Sequence, residues 1–248
     1  MLLKSWDDLP ENMKSDCVKR YYEILEKKRT SLIMKRLFDF FAAIITLVIL
    51  LPLFLLISIA IKIDSKGPVM FRQVRITQYG KQFRIFKFRT MVNNAHKIGS
   101  QVTTKHDVRV TRAGSFLRKL RLDEIPQLLN IITGDMTFVG TRPEVAKYVE
   151  QYSEEMMATL LLPAGVTSEA SIQYKDEELL LANADNADET YVKKVLPEKM
   201  RYNLRSIESF SFFSDIKTMF RTVLAVAQRD KITEKVSDVV ASDKNIHL

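Results

Sequence analysis

Hydrophobic residues follow three different rhythms along the chain, and each rhythm predicts a different kind of element. From Phe40 to Ile61 there are 22 consecutive residues without a charge, long enough at about 1.5 Å per helical residue to cross a hydrocarbon core of roughly 30 Å. The run starts well inside the chain and has no small-residue cleavage site, so it does not read as a cleaved signal peptide. Before it, within residues 1–34, Val18, Tyr21, Tyr22, Ile24 and Leu25 recur at helical spacing between charged residues and predict a short amphipathic helix. That helix fits either a membrane surface or the face of a domain. After the run the rhythm changes to two. PVMFRQVRI and KQFRIFKFRTM, separated by Tyr79-Gly80, alternate apolar and basic residues and predict two strands joined by a turn. Lys87 and Arg89, two residues apart, are expected on one strand face.

Farther on, FLRKLRL and DEIPQLLNII predict two helical pieces meeting at Asp123. Pro126 suits the first turn of the second piece, which puts Asp123 at or beside an N-cap and Glu124 in the first turn. Gly134 and Gly140 bracket a short strand, Met136 to Val139. Helical segments are expected over Tyr148–Leu162, Glu177–Ala182 and Ser214–Ala227. In the last, Ile216, Met219, Phe220, Val223 and Leu224 form an apolar stripe that suits a membrane surface and, better, packing on the core. Residues 229–248 are polar and without pattern.

Charge sharpens this outline. The net charge is +8, but Lys62 to Arg121 contains 15 basic and 2 acidic residues, whereas Leu122 to Leu248 contains 14 basic and 21 acidic ones. The first stretch is built to meet anions: phosphate ligands, lipid headgroups and nucleic acid all fit. Around the apolar run, Lys27, Lys28, Arg29, Lys35 and Arg36 precede, and Lys62, Lys66, Arg72 and Arg75 follow. Positive residues normally mark the cytoplasmic side alone, and Pro52 near the middle favours a break. A kinked single span and a helix that re-enters on the same face both satisfy the pattern. The single cysteine, Cys17, excludes an internal disulfide framework. The isolated histidines His96, His106 and His247 argue against zinc, and no Gly-x-Gly-x-x-Gly or Walker loop is present.

The adjacent carboxylates Asp123 and Glu124 are, by themselves, as suited to capping as to chemistry. Arg118, Lys119 and Arg121 nearby change the balance, because a carboxylate can approach a phosphoryl centre only where cations cancel the like charge. Nucleophile and metal ligand are then both open roles.

The ordered set KRLFDF, the run containing Pro52, SKGPVMFRQVRI, GKQFRIFKFRTM and DVRVTRAGSFLRKLRLDEIPQLLNIITGDMTFVGTRPE resembles the bacterial sugar transferase family, the monotopic polyprenyl-phosphate phosphoglycosyl transferases, over roughly Lys35 to Val226. The resemblance implies Asp123 as a nucleophile that carries a phospho-sugar, and Glu124 as a ligand of Mg²⁺. It further implies phosphate or nucleotide contacts from Lys87, Arg89, Arg118 and Arg142, and a helix broken at Pro52 that re-enters the membrane. Leu51 stands where the family often has Ser, Thr141 replaces the first Pro of a Pro-Arg-Pro motif, and PAGVTSEAS from Pro163 to Ser171 departs from a Pro-Gly-Ile-Thr-Gly run.

The expected fold is α/β and mostly helical, a small cytosolic catalytic domain with a re-entrant membrane helix and surface amphipathic helices. Its divisions are residues 1–34, the membrane helix 35–63, the catalytic domain 64–228 and the tail 229–248. The expected activity moves a phospho-sugar from a nucleotide sugar to polyprenyl phosphate at the bacterial inner membrane, with Mg²⁺ as cofactor and the lipid bilayer as partner; no nucleic acid is expected, and self-association is left open. The alternative is a membrane-anchored scaffold or anion-binding protein of a glycan-assembly system.

Overall fold

The computed structural model describes residues 3–95, 107–174 and 186–225. The predicted Glu177–Ala182 helix, the three histidines and the polar tail lie outside them. Within them the chain is mostly helical, with two small two-stranded sheets.

Helix α1 (Asp16–Glu26) begins at Ser15, whose side chain accepts from the Val18 amide, a normal N-cap. Val18, Tyr21, Tyr22 and Leu25 are buried on one face, so the apolar face of the amphipathic helix lies against the domain. The residues before it join the same core. Leu3, Leu9 and Met13 pack with α1 against Leu160, Leu161, Leu204, Ile207 and Phe210, and the Trp6 ring meets Tyr22 edge-on at 5.3 Å. What reads in the sequence as an extension is therefore part of the main hydrophobic core.

The long apolar run divides. Helix α2 (Arg29–Ile49) and helix α3 (Leu51–Asp64) meet at 62°, and no single helix among the described residues is long and apolar enough to cross a membrane. Leu50 takes φ −85°, ψ 1°, and Pro52 enters the first turn of α3, where its missing N–H costs little but where it cannot donate back into α2. The bend forms with Leu51 in place of Ser. Phe41, Ile45, Val48, Leu51, Leu55, Leu56 and Ile59 face outward along both helices, an apolar patch of the kind that soluble surfaces avoid.

The base of this elbow is fastened to the body by polar groups. Buried Lys35 donates to the Val139 carbonyl at 2.8 Å and to Asp215 at 2.5 Å, with Asp39 at 3.9 Å. Arg36 donates to the carbonyls of Ile131 and Ile132. Desolvating these charges is tolerable because each is paired or hydrogen-bonded.

Strands β1 (Met70–Ile76) and β2 (Gln82–Phe88) pair antiparallel, Met70 opposite Phe88 and Ile76 opposite Gln82. Tyr79 (φ 58°) and Gly80 (φ 73°) turn the chain between them. Helix α4 (Arg112–Lys119) is capped by Thr111 and packs so closely that a Cβ on Gly114 would lie 2.0 Å from the Thr90 carbonyl oxygen. Helix α5 (Gln127–Thr133) ends at Gly134 in the left-handed region, and Asn130 clamps it to β2 by accepting from the Phe86 amide and donating to the Arg84 carbonyl. Strand β3 (Met136–Val139), at the predicted place, pairs in parallel with β4 (Ala164–Thr167). Gly140 and Gly165 cross backbone to backbone; a Cβ on Gly165 would stand 2.2 Å from Gly140 atoms.

The C-terminal part differs from the sequence reading in two respects. Tyr148–Leu162 is not one helix: a single turn at Ala146–Val149 and a 3₁₀ stretch at Met156–Leu161 replace it. After helix α6 (Leu196–Glu208), helix α7 (212–225) packs by its polar side. Asp215 meets Lys35, Thr218 and Arg221 meet Glu169, and the Thr222 hydroxyl meets that of Thr167 at 2.8 Å. Its apolar side, with Phe213, Phe220, Val223 and Leu224, faces out. Of the predicted stripe, Phe220, Val223 and Leu224 face out, against the expected packing on the core, while Ile216 and Met219 are half-buried.

Candidate active site

Between α4 and α5 the chain makes an unusual turn. Arg121 adopts φ 57°, ψ 19°, a left-handed conformation that costs a non-glycine residue energy and clusters at functional sites. It ends α4 and throws Leu122–Glu124 into one 3₁₀ turn against β2. Helix α5 follows from Pro126 with no side-chain cap. Asp123 is thus not an N-cap, because the tight turn at Arg121 already redirects the chain.

Glu124 is the electrostatic centre. Arg142 donates to its Oε1 at 2.6 Å and Lys87 to the same atom at 3.1 Å, and Arg121 approaches that oxygen at 3.7 Å. Burial opposes the charge, yet Arg142 and Lys87 outweigh it and hold the carboxyl well below the usual carboxylate range. Asp123, only 8 % exposed, has the reverse balance: burial and then the neighbouring Glu124 charge push its pKa up, against Lys87, Arg121 and Arg118. Two adjacent carboxylates are so pulled apart, which is how paired acids acquire different roles. Lys87, in turn, is pushed down by burial, with Glu124 opposing.

The structure brings Lys87, Arg118 and Arg142 to the dyad but sends Arg89 elsewhere. β2 ends at Phe88, and the Arg89 side chain turns to the end of α3, donating to the Ser65 carbonyl at 2.7 Å, the Ser65 hydroxyl and the Lys66 carbonyl. A helix C-terminus carries carbonyls in need of donors and a partial negative charge; that is what holds Arg89, at 5 % exposure. Arg89, expected to meet phosphate, here caps the end of α3. Pro52 lies at the elbow, in the first turn of α3, apart from the dyad.

Loop Gly140–Glu144 carries Arg142 into place. The Gly140 amide donates to the Thr167 carbonyl and the Gly165 amide to the Thr141 carbonyl, so Thr141 serves through its backbone, and Ala164–Thr167 of the divergent Pro163–Ser171 segment supplies the strand beneath. Sequence reading did not find Arg75 or Glu144. Arg75 donates to the Pro143 carbonyl at 3.3 Å, and the buried Glu144 accepts from Tyr191. No local pattern marks either contact, since Pro143 lies far along the chain from Arg75 and Tyr191 far from Glu144.

A Mg²⁺ ion asks for hard oxygen ligands, often one or two carboxylates completed by substrate phosphates. Among the described residues no group of three metal-ligating side chains occurs; the dyad supplies two adjacent carboxylates, of which Glu124 already meets cations through Oε1. The three cations converge on Oε1 of Glu124, and Asp123 stands next to it.

The family model described as bacterial sugar transferase matches residues 30–229. The chain belongs to that family. Among curated bacterial sugar transferases and related proteins, an Aeromonas hydrophila protein named UDP-N-acetylgalactosamine-undecaprenyl-phosphate N-acetylgalactosaminephosphotransferase is 35% identical over 78% of this chain and 43% of its own length. A Klebsiella pneumoniae UDP-glucose:undecaprenyl-phosphate glucose-1-phosphate transferase is 35% identical over 78% of this chain and 40% of its own. A Bacillus subtilis protein named putative undecaprenyl-phosphate N-acetylgalactosaminyl 1-phosphate transferase is 39% identical over 54% of this chain and 75% of its own. The chain spans about two fifths of the length of the first two relatives.

Proposed function

We propose that this protein is a phosphoglycosyl transferase that moves a sugar phosphate from a UDP-sugar to undecaprenyl phosphate and so begins assembly of a surface polysaccharide or glycoconjugate. The observation that carries this reading is the buried dyad itself: Glu124 locked by Lys87, Arg142 and Arg121, and Asp123 beside it. The family membership and the names of the three relatives support the substrate classes.

In this reading an Asp123 carboxylate oxygen attacks the sugar-side phosphorus, and the bond from that phosphorus to the nucleotide-side oxygen breaks, releasing nucleoside monophosphate. The phosphate oxygen of undecaprenyl phosphate then attacks the same phosphorus, the acyl-phosphate bond breaks, and Asp123 returns as carboxylate. Lys87, Arg118 and Arg142 hold the phosphates and offset their charge. Burial gives Asp123 a raised basicity, which strengthens it as a nucleophile once ionised. Glu124, ionised throughout, would hold Mg²⁺ with Asp123 adjacent, and the ion would supply further charge neutralisation on the diphosphate. Incubating the full chain in lipid nanodiscs with a panel of UDP-sugars is expected to release UMP from at least one, with release abolished by EDTA and restored by Mg²⁺. Release at an equal rate in EDTA would remove the metal from the mechanism, and no release from any donor would remove the activity.

We further propose that the α2–α3 elbow enters and leaves the cytoplasmic membrane on its cytosolic face, with the outward apolar side of α7 resting on the lipid. The bend at Leu50, the basic residues on both flanks and the exposed Phe213, Phe220, Val223 and Leu224 support it. Cysteine-reactive labels at either end of the chain are expected to react from the cytosol alone. An N-terminal label reachable from outside the cell would show that the pair spans.

A further inference from the structure

Among the described residues, Gln127 alone has a buried side chain with no hydrogen bond at any of its polar atoms. It is 1 % exposed, and neither its Nε2 nor its Oε1 meets a partner. A buried carboxamide takes two N–H donors and an acceptor out of water. Leaving them unmet costs folding free energy that an apolar side chain of the same length does not cost. Such groups are rare in native interiors, and a catalytic role is one reason they persist.

The place of Gln127 follows from its neighbours along the helix. Three residues on, Asn130 accepts from the Phe86 amide and donates to the Arg84 carbonyl. Three residues back, Glu124 accepts from Lys87. The backbone stays helical through the junction, at Ile125 (φ −50°, ψ −41°) and Pro126 (φ −61°, ψ −14°), so residues three apart share one face. Gln127 therefore lies toward β2 between these two contacts, one turn below the dyad. Helical side chains lean toward the N-terminus, onto the residues three and four back. For Gln127 those residues are Glu124 and Asp123.

Glu124 supplies the other half of the argument. Both hydrogen bonds that it accepts, from Arg142 at 2.6 Å and Lys87 at 3.1 Å, end on Oε1. In the transferase reading the same two cations hold the donor's phosphates. Binding the diphosphate then draws their N–H groups from Oε1 and leaves a buried carboxylate short of donors, a costly arrangement unless another donor takes over. We propose that Gln127 is a positioning residue of the dyad: as Lys87 and Arg142 turn to the diphosphate, its carboxamide N–H donates to the Glu124 carboxylate and keeps that group in place beside Asp123. The hydrogen bonds balance across the exchange. Without donor substrate the cations sit on Glu124 and Gln127 is unmet; with it the cations sit on phosphate and Gln127 is met. The inference rests on the transferase reading above and adds to it the residue that holds the dyad in the loaded state.

The test uses the full chain in nanodiscs with Mg²⁺, with UDP as the diphosphate probe and uridine as the control. Glutamine side chains carry ¹⁵N, and the Gln127 amide signal is assigned by its loss in Q127M. UDP at saturation is expected to move one of the two Gln127 amide protons downfield as it gains an acceptor, and uridine at the same concentration to leave both in place. Q127M keeps the length of the side chain without its amide. It is expected to raise the thermal midpoint of the unliganded chain by about 2–4 °C, yet to weaken UDP binding about 10-fold, with uridine binding within about two-fold of wild type. Gain in one measurement and loss in the other separates this role from plain packing. If Q127M does not fold, Q127N gives the assignment and the wild-type signal carries the test. A Gln127 signal unmoved at saturating UDP overturns the assignment. So does a Q127M chain whose midpoint falls and whose UDP and uridine affinities fall together, which makes Gln127 a structural residue. Should the wild-type chain release UMP from a UDP-sugar while bound UDP leaves the Gln127 signal unmoved, this proposal alone fails. A wild-type chain that neither binds UDP nor turns over any UDP-sugar overturns both readings.

Discussion

Replacing Asp123 by Asn is expected to lower UMP release by at least about 10³-fold, the scale on which loss of a covalent nucleophile is felt, and at the same time to raise the thermal midpoint by a few degrees. The two effects have one cause. Burial and the Glu124 charge lift the Asp123 pKa above the ordinary aspartate range, so its ionised form is less favourable in the folded than in the unfolded chain. A carboxyl raised in this way loses folding stability as pH increases through its unfolded and then its folded value; at neutral pH an uncharged isostere of the same shape relieves that cost. The same sign governs activity. In the proposed mechanism Asp123 acts ionised, so the rate should fall as pH drops through its raised value, giving an acidic limb above about 3.9, the value for a free aspartate. Stopped-time UMP assays across pH and a melting curve of Asp123→Asn check both halves. Full activity in that variant would end the covalent mechanism, and a lowered midpoint would contradict the electrostatic account of the site.

Leu25→Ala should be among the most damaging of the simple core truncations outside the site, costing about 2–5 kcal/mol as for other fully buried leucines. Leu25 has 0 % exposure and lies within the cluster that joins residues 3–25 to Leu160, Leu161, Leu204, Ile207 and Phe210. Removing residues 1–27 altogether is expected to yield a chain that does not unfold cooperatively, since the main core would lose Leu3, Leu9, Met13, Val18, Tyr21, Tyr22 and Leu25 together. Circular dichroism melts of the two proteins in detergent provide the check. A truncated chain with a wild-type melt would show that the core forms without this segment.

This N-terminal packing also shows where sequence reading stopped. The helix at Val18–Leu25 was legible because its period is local, but its partners Leu204 and Ile207 lie far along the chain, and nothing in the segment distinguishes a protein face from a lipid face. The hairpin Met70–Phe88 was legible for the same local reason, and β3 because two glycines bracket it. The direction of Arg89 was not legible, because the alternation that places Lys87 says nothing after β2 ends, where the open carbonyls of α3 hold the side chain. The α7 stripe could be seen but not aimed. Periodicity gives a face, and only the Lys35–Asp215 and Thr167–Thr222 contacts reveal that the polar face is the one turned inward. At the dyad, the residue pair was readable, while the left-handed Arg121 and the distant brace at Glu144 were not.

The fastening of the elbow has a consequence for reach. Arg36 of α2 holds the last carbonyls of α5, Arg89 at the end of β2 holds the last carbonyls of α3, and Asp123 and Glu124 sit between β2 and the start of α5. Both arms of the elbow are thus pinned to the elements that carry the dyad. The elbow and the two carboxylates are tied at a set separation, so under the proposed membrane placement the dyad would ride at a fixed height above the lipid, and the proposed acceptor would have to rise to meet it there.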